Sequence, residues 1–184
     1  MPAFVPVVIE ATADLTLSPF TIDDAPALTE AVDDTQLRRW LPLPDPYTIS
    51  IAESWCIGTT RELRDNGQGL VLALRHRGQF AGCIDAKRVD WRARTAELGY
   101  WTASACRGRG LMPQAVSAFS SWLIADLGFQ RLELRIAPGN LSSIRVAEKA
   151  GFTYEGIARN AGYTDVGRVD LAIFSRIASD LGLG

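Results

Sequence analysis

The hydrophobic period of this sequence changes once, near residue 110, and that change limits the folds open to the chain. Three segments before it are predicted as strands: 70–76, 80–88 and 94–102. Arg77-Gly78 between the first two is a hairpin signal, so this part predicts an antiparallel meander. After the change, 112–127 carries apolar residues at steps of three and four, which predicts a helix, and 131–136 alternates as a strand. The combination predicts a mixed α/β fold.

Shorter signals complete the order of elements. A strand over 15–20 is followed by a helix to about Val32, and a further helix over 51–64 is expected to begin at the cap Ser50. Asn140 is expected to cap a helix that Gly151 ends. Two last strands are predicted near 152–157 and 166–175. The apolar residues at the start of the chain follow neither a helical nor a strand spacing. We therefore expect a flexible tail at 1–14 and a single domain at 15–184.

Composition narrows the classes of function. The 184 residues carry 19 Lys and Arg against 21 Asp and Glu, a formal net charge of −2, which disfavours a nucleic-acid partner. Cys56, Cys83 and Cys106 show no paired spacing and indicate reduced thiols in a cytoplasmic protein. His76 is the only histidine, so we expect no metal site. We also expect neither a signal peptide nor a membrane-spanning segment.

The segment 105–112 is the strongest candidate for a ligand site. Gly108 and Gly110 let the backbone come close to a ligand, and N–H groups at a helix N-terminus attract anions. Arg107 and Arg109 would add positive charge to the rim. A plain strand–helix turn with two solvated arginines explains the same residues and stays open.

Two other phosphate-binding patterns fit this segment less well. The Walker pattern fails because no Gly-Lys-Ser/Thr follows. The dinucleotide fingerprint agrees at its first two glycines but has Pro113 at the third place, although Glu133 lies at the distance expected of a ribose-binding acid. The preceding hairpins and the mid-strand position of Glu133 argue against a doubly wound sheet.

Several groups of residues carry a family resemblance together: Glu97-Leu98-Gly99-Tyr100-Trp101, Arg107-Gly108-Arg109-Gly110, Asn140-Leu141-Ser142-Ser143, Glu148-Lys149-Ala150-Gly151-Phe152 and Gly167-Arg168-Val169-Asp170. They resemble the GNAT acetyltransferase superfamily, and within it the RimJ/RimL type, the ribosomal-protein N-terminal acetyltransferases. The likeness covers about residues 15–180. The family's Gln/Arg-x-x-Gly-x-Gly/Ala loop, taken to begin at Ala105, departs at that residue, and Met112 and Pro113 are also unusual.

The resemblance implies a central mixed, mostly antiparallel seven-stranded sheet flanked by helices. The strands 94–102 and 131–136 would run parallel and splay apart to form a cleft for acetyl-CoA, the acyl donor. The pantetheine arm would pair with backbone near 101–103. The implied cofactor-binding residues are Trp101, Thr102, Ala103, Arg107, Gly108, Arg109, Gly110, Leu111, Met112, Asn140 and Ser143.

Transfer of an acetyl group to an amine requires a neutral amine, a polarised thioester and a leaving thiolate. Glu97 is predicted to act as the base, either directly or through a water, or else to orient a neighbouring group. Ser143 occupies the position where RimL-like enzymes place a hydroxyl near the cofactor sulfur, and otherwise it is only the third residue of a capped helix. A backbone N–H near Trp101 or Thr102 would hold the carbonyl oxygen. A covalent route through Cys106 is disfavoured.

The acceptor is predicted to be a primary amine, either a protein N-terminus or a small molecule. Its expected contacts are Arg39, Trp40, Tyr47 and Asn160, although the first two are also explained as a helix end with an inward tryptophan. Two alternatives stay open: a catalytically idle acyl-CoA sensor and a nucleotide-binding protein. A homodimer through apolar residues of the last strands also stays open.

Overall fold

The protein is described from a computed structural model that covers residues 2–164 and 167–183. These residues form eight strands: β1 Ile9–Thr12, β2 Leu15–Pro19, β3 Leu70–His76, β4 Gln79–Asp90, β5 Thr95–Thr102, β6 Arg131–Ile136, β7 Thr153–Thr164 and β8 Gly167–Ile177. They make one sheet in the order β1-β2-β3-β4-β5-β6-β8-β7. Every neighbouring pair is antiparallel except β5 and β6, which run parallel. The predicted mixed, mostly antiparallel sheet is confirmed.

The helices occupy both faces of this sheet. Their bounds are α1 Ala25–Val32, α2 Thr35–Arg38, α3 Ile49–Ser54, α4 Thr60–Asp65, α5 Leu111–Ala125 and α6 Leu141–Lys149. A π-helical turn, Trp55–Thr59, joins α3 to α4, which confirms the helical segment predicted over 51–64. Its cap is Thr48, whose hydroxyl accepts the Ile51 N–H at 3.4 Å, and not Ser50. No helix among the described residues has the length and apolar character needed to span a bilayer.

Alternation along the strands gives the sheet two apolar faces. In β3, Leu72 and Leu74 face the cluster that contains α5, whereas Val71 and Ala73 face the cluster that contains α1 and α3. Each of these side chains is buried. The central strands are therefore covered on both sides, and they hold the ends of β5 and β6 in fixed positions.

The prediction of a flexible tail at 1–14 is corrected by the structure. Ile9–Thr12 pairs with β2, which makes β1 an eighth strand where seven were expected. Phe4 is 4% exposed, and its ring centroid lies 4.8 Å from that of Trp91 and 6.4 Å from that of Phe129. An aromatic anchor of this kind fixes the segment through contacts distant in sequence, which a missing local period does not reveal.

The parallel pair of strands separates along its length, as expected. Residues 95–97 of β5 pair with residues 131–133 of β6, and the pairing stops there. Beyond that point β5 stays paired with β4 and β6 stays paired with β8, so the two strands part. The last predicted strand, 166–175, begins at Val166, which lies outside the described residues, and β8 is described from Gly167.

Candidate active site

A cavity of about 460 Å³ opens where β5 and β6 part. Leu37 and Leu41 line it from the face covered by α1 and α3, and Leu111 and Met112 from the face covered by α5, so the cavity passes through the sheet. The residues predicted to hold the cofactor that line it are Trp101, Thr102, Arg107, Gly108, Gly110, Leu111, Met112, Asn140 and Ser143. Ala103 and Arg109 stand outside this lining.

The loop from β5 to α5 depends on two glycines with positive φ. Gly108 has a φ of 75° and Gly110 a φ of 73°, a left-handed backbone that residues with a side chain rarely adopt. Gly110 is the N-cap of the fifteen-residue helix α5, so the first N–H groups of that helix have no intrahelical partners. Pro113 is tolerated because its missing N–H would be one of those groups. This helix end can bind an anion such as a pyrophosphate.

The family's loop pattern also fits this geometry in a second frame. That frame begins at Arg107, has its glycine at the N-cap Gly110 and departs only at Met112. Met112 is 4% exposed and packs from α5 into the core, so most of its side chain is accommodated there although it also lines the cavity. Ala105 is then outside the pattern, and the departure noted there no longer bears on the anion site.

The side chain of Arg107 is engaged by the protein itself. Its Nε donates to the Thr102 carbonyl at 3.2 Å, and its terminal nitrogens donate to the two oxygens of Asp34 at 2.8 and 3.3 Å. One of them also donates to Gln36 Oε1 at 3.0 Å. The Arg107 hydrogen bonds lower the pKa of Asp34. Arg109, by contrast, is exposed beside the cavity.

The free edge of β5 offers backbone partners to an extended ligand. The Ala103 N–H donates to the Ala81 carbonyl at 2.9 Å, toward β4. Backbone groups alternate in direction along a strand, so those of Trp101 also point to β4, and those of Tyr100 and Thr102 point into the gap. Of the predicted pantetheine contacts at 101–103, only Thr102 presents its backbone to the gap, and Tyr100, just outside that range, does so as well. A ligand with amide groups can pair there like an added strand.

The N-terminus of α6 forms the opposite wall of the gap. Asn140 Oδ1 accepts the Ser143 N–H at 3.2 Å and the Ser142 hydroxyl at 2.9 Å, which confirms Asn140 as the cap. The Tyr100 hydroxyl donates to the Ser143 carbonyl at 2.9 Å. Burial raises the pKa of Tyr100 to about 12, so the hydroxyl remains a donor at neutral pH. This bond ties α6 to β5 across the cavity.

Glu97 lies at the last residue pair that joins β5 to β6, outside the cavity lining. Its side chain is 14% exposed, with Oε1 3.7 Å from Lys87 Nζ and Oε2 3.5 Å from Arg88 Nε. Oε2 is buried and accepts no hydrogen bond from the described part of the chain. Two cations thus balance the charge of Glu97 without satisfying its hydrogen-bonding capacity.

A second carboxylate, Asp85, belongs to the same group and is missed by the sequence analysis. Asp85 faces Gly99 in the register of β4 with β5, and a Cβ at Gly99 would lie 2.5 Å from Asp85 Oδ1 and 2.7 Å from Lys87 Nζ. Lys87 Nζ is 3.7 Å from Asp85 Oδ2. Burial raises the pKa of Asp85, and the charge of Glu97 raises it further while Lys87 opposes the shift. The signal that would reveal Asp85 is this cross-strand register.

The residues predicted to contact the acceptor are not all brought together. Trp40 lines the cavity and reaches Gly139 across it, where a Cβ would lie 3.7 Å from the ring. The Arg39 guanidinium stands 5.0 Å from the centroid of that ring. Tyr47 packs in the core with α1 and α3, where burial raises its pKa. Asn160 lies in β7, outside the cavity lining.

The covalent alternative gains no support from the geometry. Cys106 lines the cavity, whereas His76 lies at the end of β3 opposite Gln79. In residues 2–164 and 167–183 no three His, Cys, Asp or Glu side chains are grouped as metal ligands would be.

The site thus combines a splayed parallel pair of strands, a helix end that can bind an anion at the gap, and two carboxylates on the strands beside it. The sequence profile of the acetyltransferase (GNAT) domain matches residues 14–153. The chain therefore belongs to the GNAT acetyltransferase family.

Similar proteins agree with this assignment. The chain is 30% identical over 160 residues to the "Putative ribosomal N-acetyltransferase YdaF" of Bacillus subtilis (strain 168), covering 83% of this chain and 85% of that protein. A solved "Probable acetyltransferase" superposes with a TM-score of 0.86 at 26% identity, covering 95% of this chain and 98% of the other. RimL, a ribosomal L7/L12 alpha-N-protein acetyltransferase solved with coenzyme A, superposes with a TM-score of 0.84 at 23% identity. The superposition covers 93% of this chain and 98% of RimL.

The chain is thus an N-acetyltransferase that uses acetyl-CoA as the donor. The alternative of an idle acyl-CoA sensor has no support among these relatives.

Proposed function

We propose that this enzyme acetylates the N-terminal α-amine of a protein. The observation that carries the proposal is the cavity that passes through the sheet, because donor and acceptor can then reach one point from opposite faces. Two of the similar proteins are named for ribosomal or ribosomal-protein acetylation. A ribosomal-protein N-terminus is therefore the first acceptor to test.

The cleft fits acetyl-CoA. The free N–H groups at the start of α5, with the backbone of Gly108 and Gly110, suit the pyrophosphate, and Arg109 adds charge beside them. The gap-facing backbone of Tyr100 and Thr102 suits the pantetheine amides. When bound, acetyl-CoA supplies the acetyl group as a thioester. The N–H proposed to hold the thioester carbonyl oxygen is that of Tyr100 or Thr102 and not of Trp101, which pairs with β4.

The acceptor amine must lose a proton before it attacks. An α-amine has a pKa of about 8 against about 10.4 for lysine, so a weak base is sufficient near neutral pH. We assign this proton to the carboxylates of Asp85 and Glu97. At about 3.3 Å per residue, Glu97 is about 13 Å along β5 from Trp101, so it acts through water, while Asp85 over Gly99 is about half as far. Lys87 contacts both carboxylates and stabilises their charge.

The leaving thiolate needs less help than the amine. Ser143 lines the cavity at the start of α6, and its hydroxyl is proposed to donate a hydrogen bond to the leaving sulfur. A thiol has a pKa of about 8.5, so the thiolate is a tolerable leaving group and the contribution of Ser143 is small.

The acceptor side of the cavity is proposed to centre on Trp40. Its ring lines the cavity and reaches the wall after β6, and Arg39 adds positive charge above the ring. Tyr47 and Asn160 would act from outside the lining, Tyr47 by supporting this surface and Asn160 by contacting the more distant part of a bound chain.

The test is release of free thiol from acetyl-CoA by the purified protein. Peptides that copy ribosomal-protein N-termini are compared with free amino acids, polyamines and aminoglycosides. We expect thiol release with the peptides. Turnover of small amines without turnover of any peptide would refute the acceptor, and no turnover with any amine would refute the catalytic assignment of this cavity.

We further propose that the enzyme works in the cytoplasm, where acetyl-CoA and new ribosomal proteins occur together.

We also propose that the enzyme forms a homodimer through β7. This strand lies at the edge of the sheet and exposes the large side chains of Tyr154, Ile157 and Tyr163. Light scattering of the purified chain tests this, and a monomer at micromolar concentration would refute it.

A further inference from the structure

Arg107 is held by acceptors that belong to two different parts of the fold. Its one hydrogen bond to Thr102 lies at the end of β5, and its bonds to Asp34 and Gln36 lie at the N-terminus of α2. The side chains of Arg107 and Asp34 are 31% and 22% exposed, so their pair is partly shielded from solvent. A planar guanidinium engaged at all three nitrogens fixes the relative position of its partners.

Asp34 begins a segment, 34–41, that covers one side of the cavity. Its Oδ1 also accepts the Leu37 N–H at 2.7 Å as the N-cap of α2. Leu37 and Trp40 line the cavity, and the Trp40 ring reaches Gly139 on the β6 side. The segment is therefore attached to one wall of the cavity through Arg107, and its Trp40 ring lies close to Gly139, which follows β6.

We propose that Arg107 is a positioning residue that couples the cofactor loop to the acceptor-side segment 34–41. The backbone of Arg107 belongs to the loop that presents the N–H groups of α5, so the loop's conformation decides where the guanidinium places Asp34. Binding of coenzyme A orders the loop and, through Arg107, orders the segment. By linkage, the ordered segment strengthens coenzyme A binding by the same factor. The description of segment 34–41 as acceptor-side rests on the proposed function, whereas its coupling to coenzyme A binding does not.

The experiment is hydrogen–deuterium exchange of the whole chain, with and without coenzyme A. Asp34→Asn removes the charge that holds Arg107 but keeps an N-cap of equal quality for α2. Arg107→Gln removes the other partner. Asp33→Asn is the matched control, because the adjacent carboxylate is 85% exposed and meets Arg38 at 3.7 Å, away from the loop.

We expect coenzyme A to slow exchange of residues 35–41 by at least about fivefold in the wild type and in Asp33→Asn. In Asp34→Asn and in Arg107→Gln the slowing falls below about twofold, and the Kd for coenzyme A, measured by calorimetry, rises by about fivefold. The double variant binds no more weakly than either single one, because both remove the same interaction.

The proposal would be overturned if coenzyme A slowed exchange of residues 35–41 in Asp34→Asn as much as in the wild type. It would also be overturned if coenzyme A did not slow this exchange in the wild type. A further large loss of coenzyme A affinity when Arg107→Gln is added to Asp34→Asn would also overturn it, and would make Arg107 a direct phosphate ligand. None of these measurements uses an acceptor. An absence of turnover would therefore refute the proposed function without affecting this result.

Discussion

Replacing Gly99 by alanine tests whether the Asp85–Lys87 pair works in catalysis. The added Cβ would lie 2.5 Å from Asp85 Oδ1 and 2.7 Å from Lys87 Nζ, and real Cβ atoms essentially never approach other atoms within 3.0 Å. Both side chains must therefore move by several tenths of an ångström. They are ends of side chains and not backbone, so we expect a loss of stability of only about 1 kcal/mol.

The catalytic effect should be larger than the structural one. A displacement of about 1 Å at a reacting group can cost about 10²-fold in rate, so the smaller movement should lower kcat by about tenfold. The assay is thiol release at saturating acetyl-CoA and acceptor peptide, with coenzyme A binding measured by calorimetry. Coenzyme A affinity should stay within about twofold, because Gly99 is not among the residues that line the donor cavity.

Gly58→Ala serves as the matched control. It lies in the turn between α3 and α4, where a Cβ would meet nothing within 4 Å, so alanine should leave kcat unchanged. A wild-type kcat for Gly99→Ala would refute a catalytic role for the pair. An equal loss in both variants would show that the effect is not specific to this site.

Three further predictions concern single residues. Asp85→Asn should lower kcat by about 10²-fold and Glu97→Gln by less, and both variants should retain coenzyme A binding. Steady-state kinetics measures this, and a larger loss in Glu97→Gln would make Glu97 and not Asp85 the main base. Tyr100→Phe removes the side-chain hydrogen bond that ties the Ser143 carbonyl to β5, so we expect a loss of about 1 kcal/mol in the free energy of unfolding and a higher KM for acetyl-CoA. Asp24→Asn breaks a buried pair with Arg75, whose two hydrogen bonds measure 2.7 and 2.8 Å, and should cost about 3 kcal/mol in urea unfolding at pH 7. Burial raises the pKa of Asp24, but hydrogen bonds from Arg75 and from the Thr21 N–H lower it more, so the folded pKa is below the unfolded value of about 3.9. The stabilisation is therefore complete above that value and is lost as the pH falls through the folded pKa, so wild type and variant should converge in acid. A difference that persists unchanged below the folded pKa would contradict this account.

The elements that sequence predicts well are those with local signals. The helix at 112–127 follows from its apolar steps, and Asn140 and Gly151 mark the ends of the next helix by cap chemistry. The hairpin at Arg77-Gly78 follows from its turn residues. The splayed parallel strands, in contrast, were accessible only through the family resemblance, because no local pattern specifies which strands pair.

What sequence did not predict depends on contacts between distant residues. Phe4 anchors the N-terminal segment against Trp91 and Phe129. Because these contacts join residues distant in sequence, the local pattern does not predict β1. The sequence predicts Arg107 at the phosphate rim, but its side chain pairs with a carboxylate, Asp34, that is 73 residues away. Asp85 is seen to belong with Glu97 only when the register of β4 with β5 is known. Pairwise partners of this kind carry no periodic signal in one sequence.

The central claim, transfer of acetyl to a protein α-amine, is tested most directly by where the acetyl group appears on one peptide. A peptide with a free N-terminus and one internal lysine is incubated with the enzyme and acetyl-CoA at pH 7, and the modified amine is located by tandem mass spectrometry. At this pH the neutral fraction of an α-amine exceeds that of lysine by roughly 10²-fold. We predict acetylation of the α-amine alone. Acetylation of the lysine at a comparable rate, or of neither amine, would contradict the account.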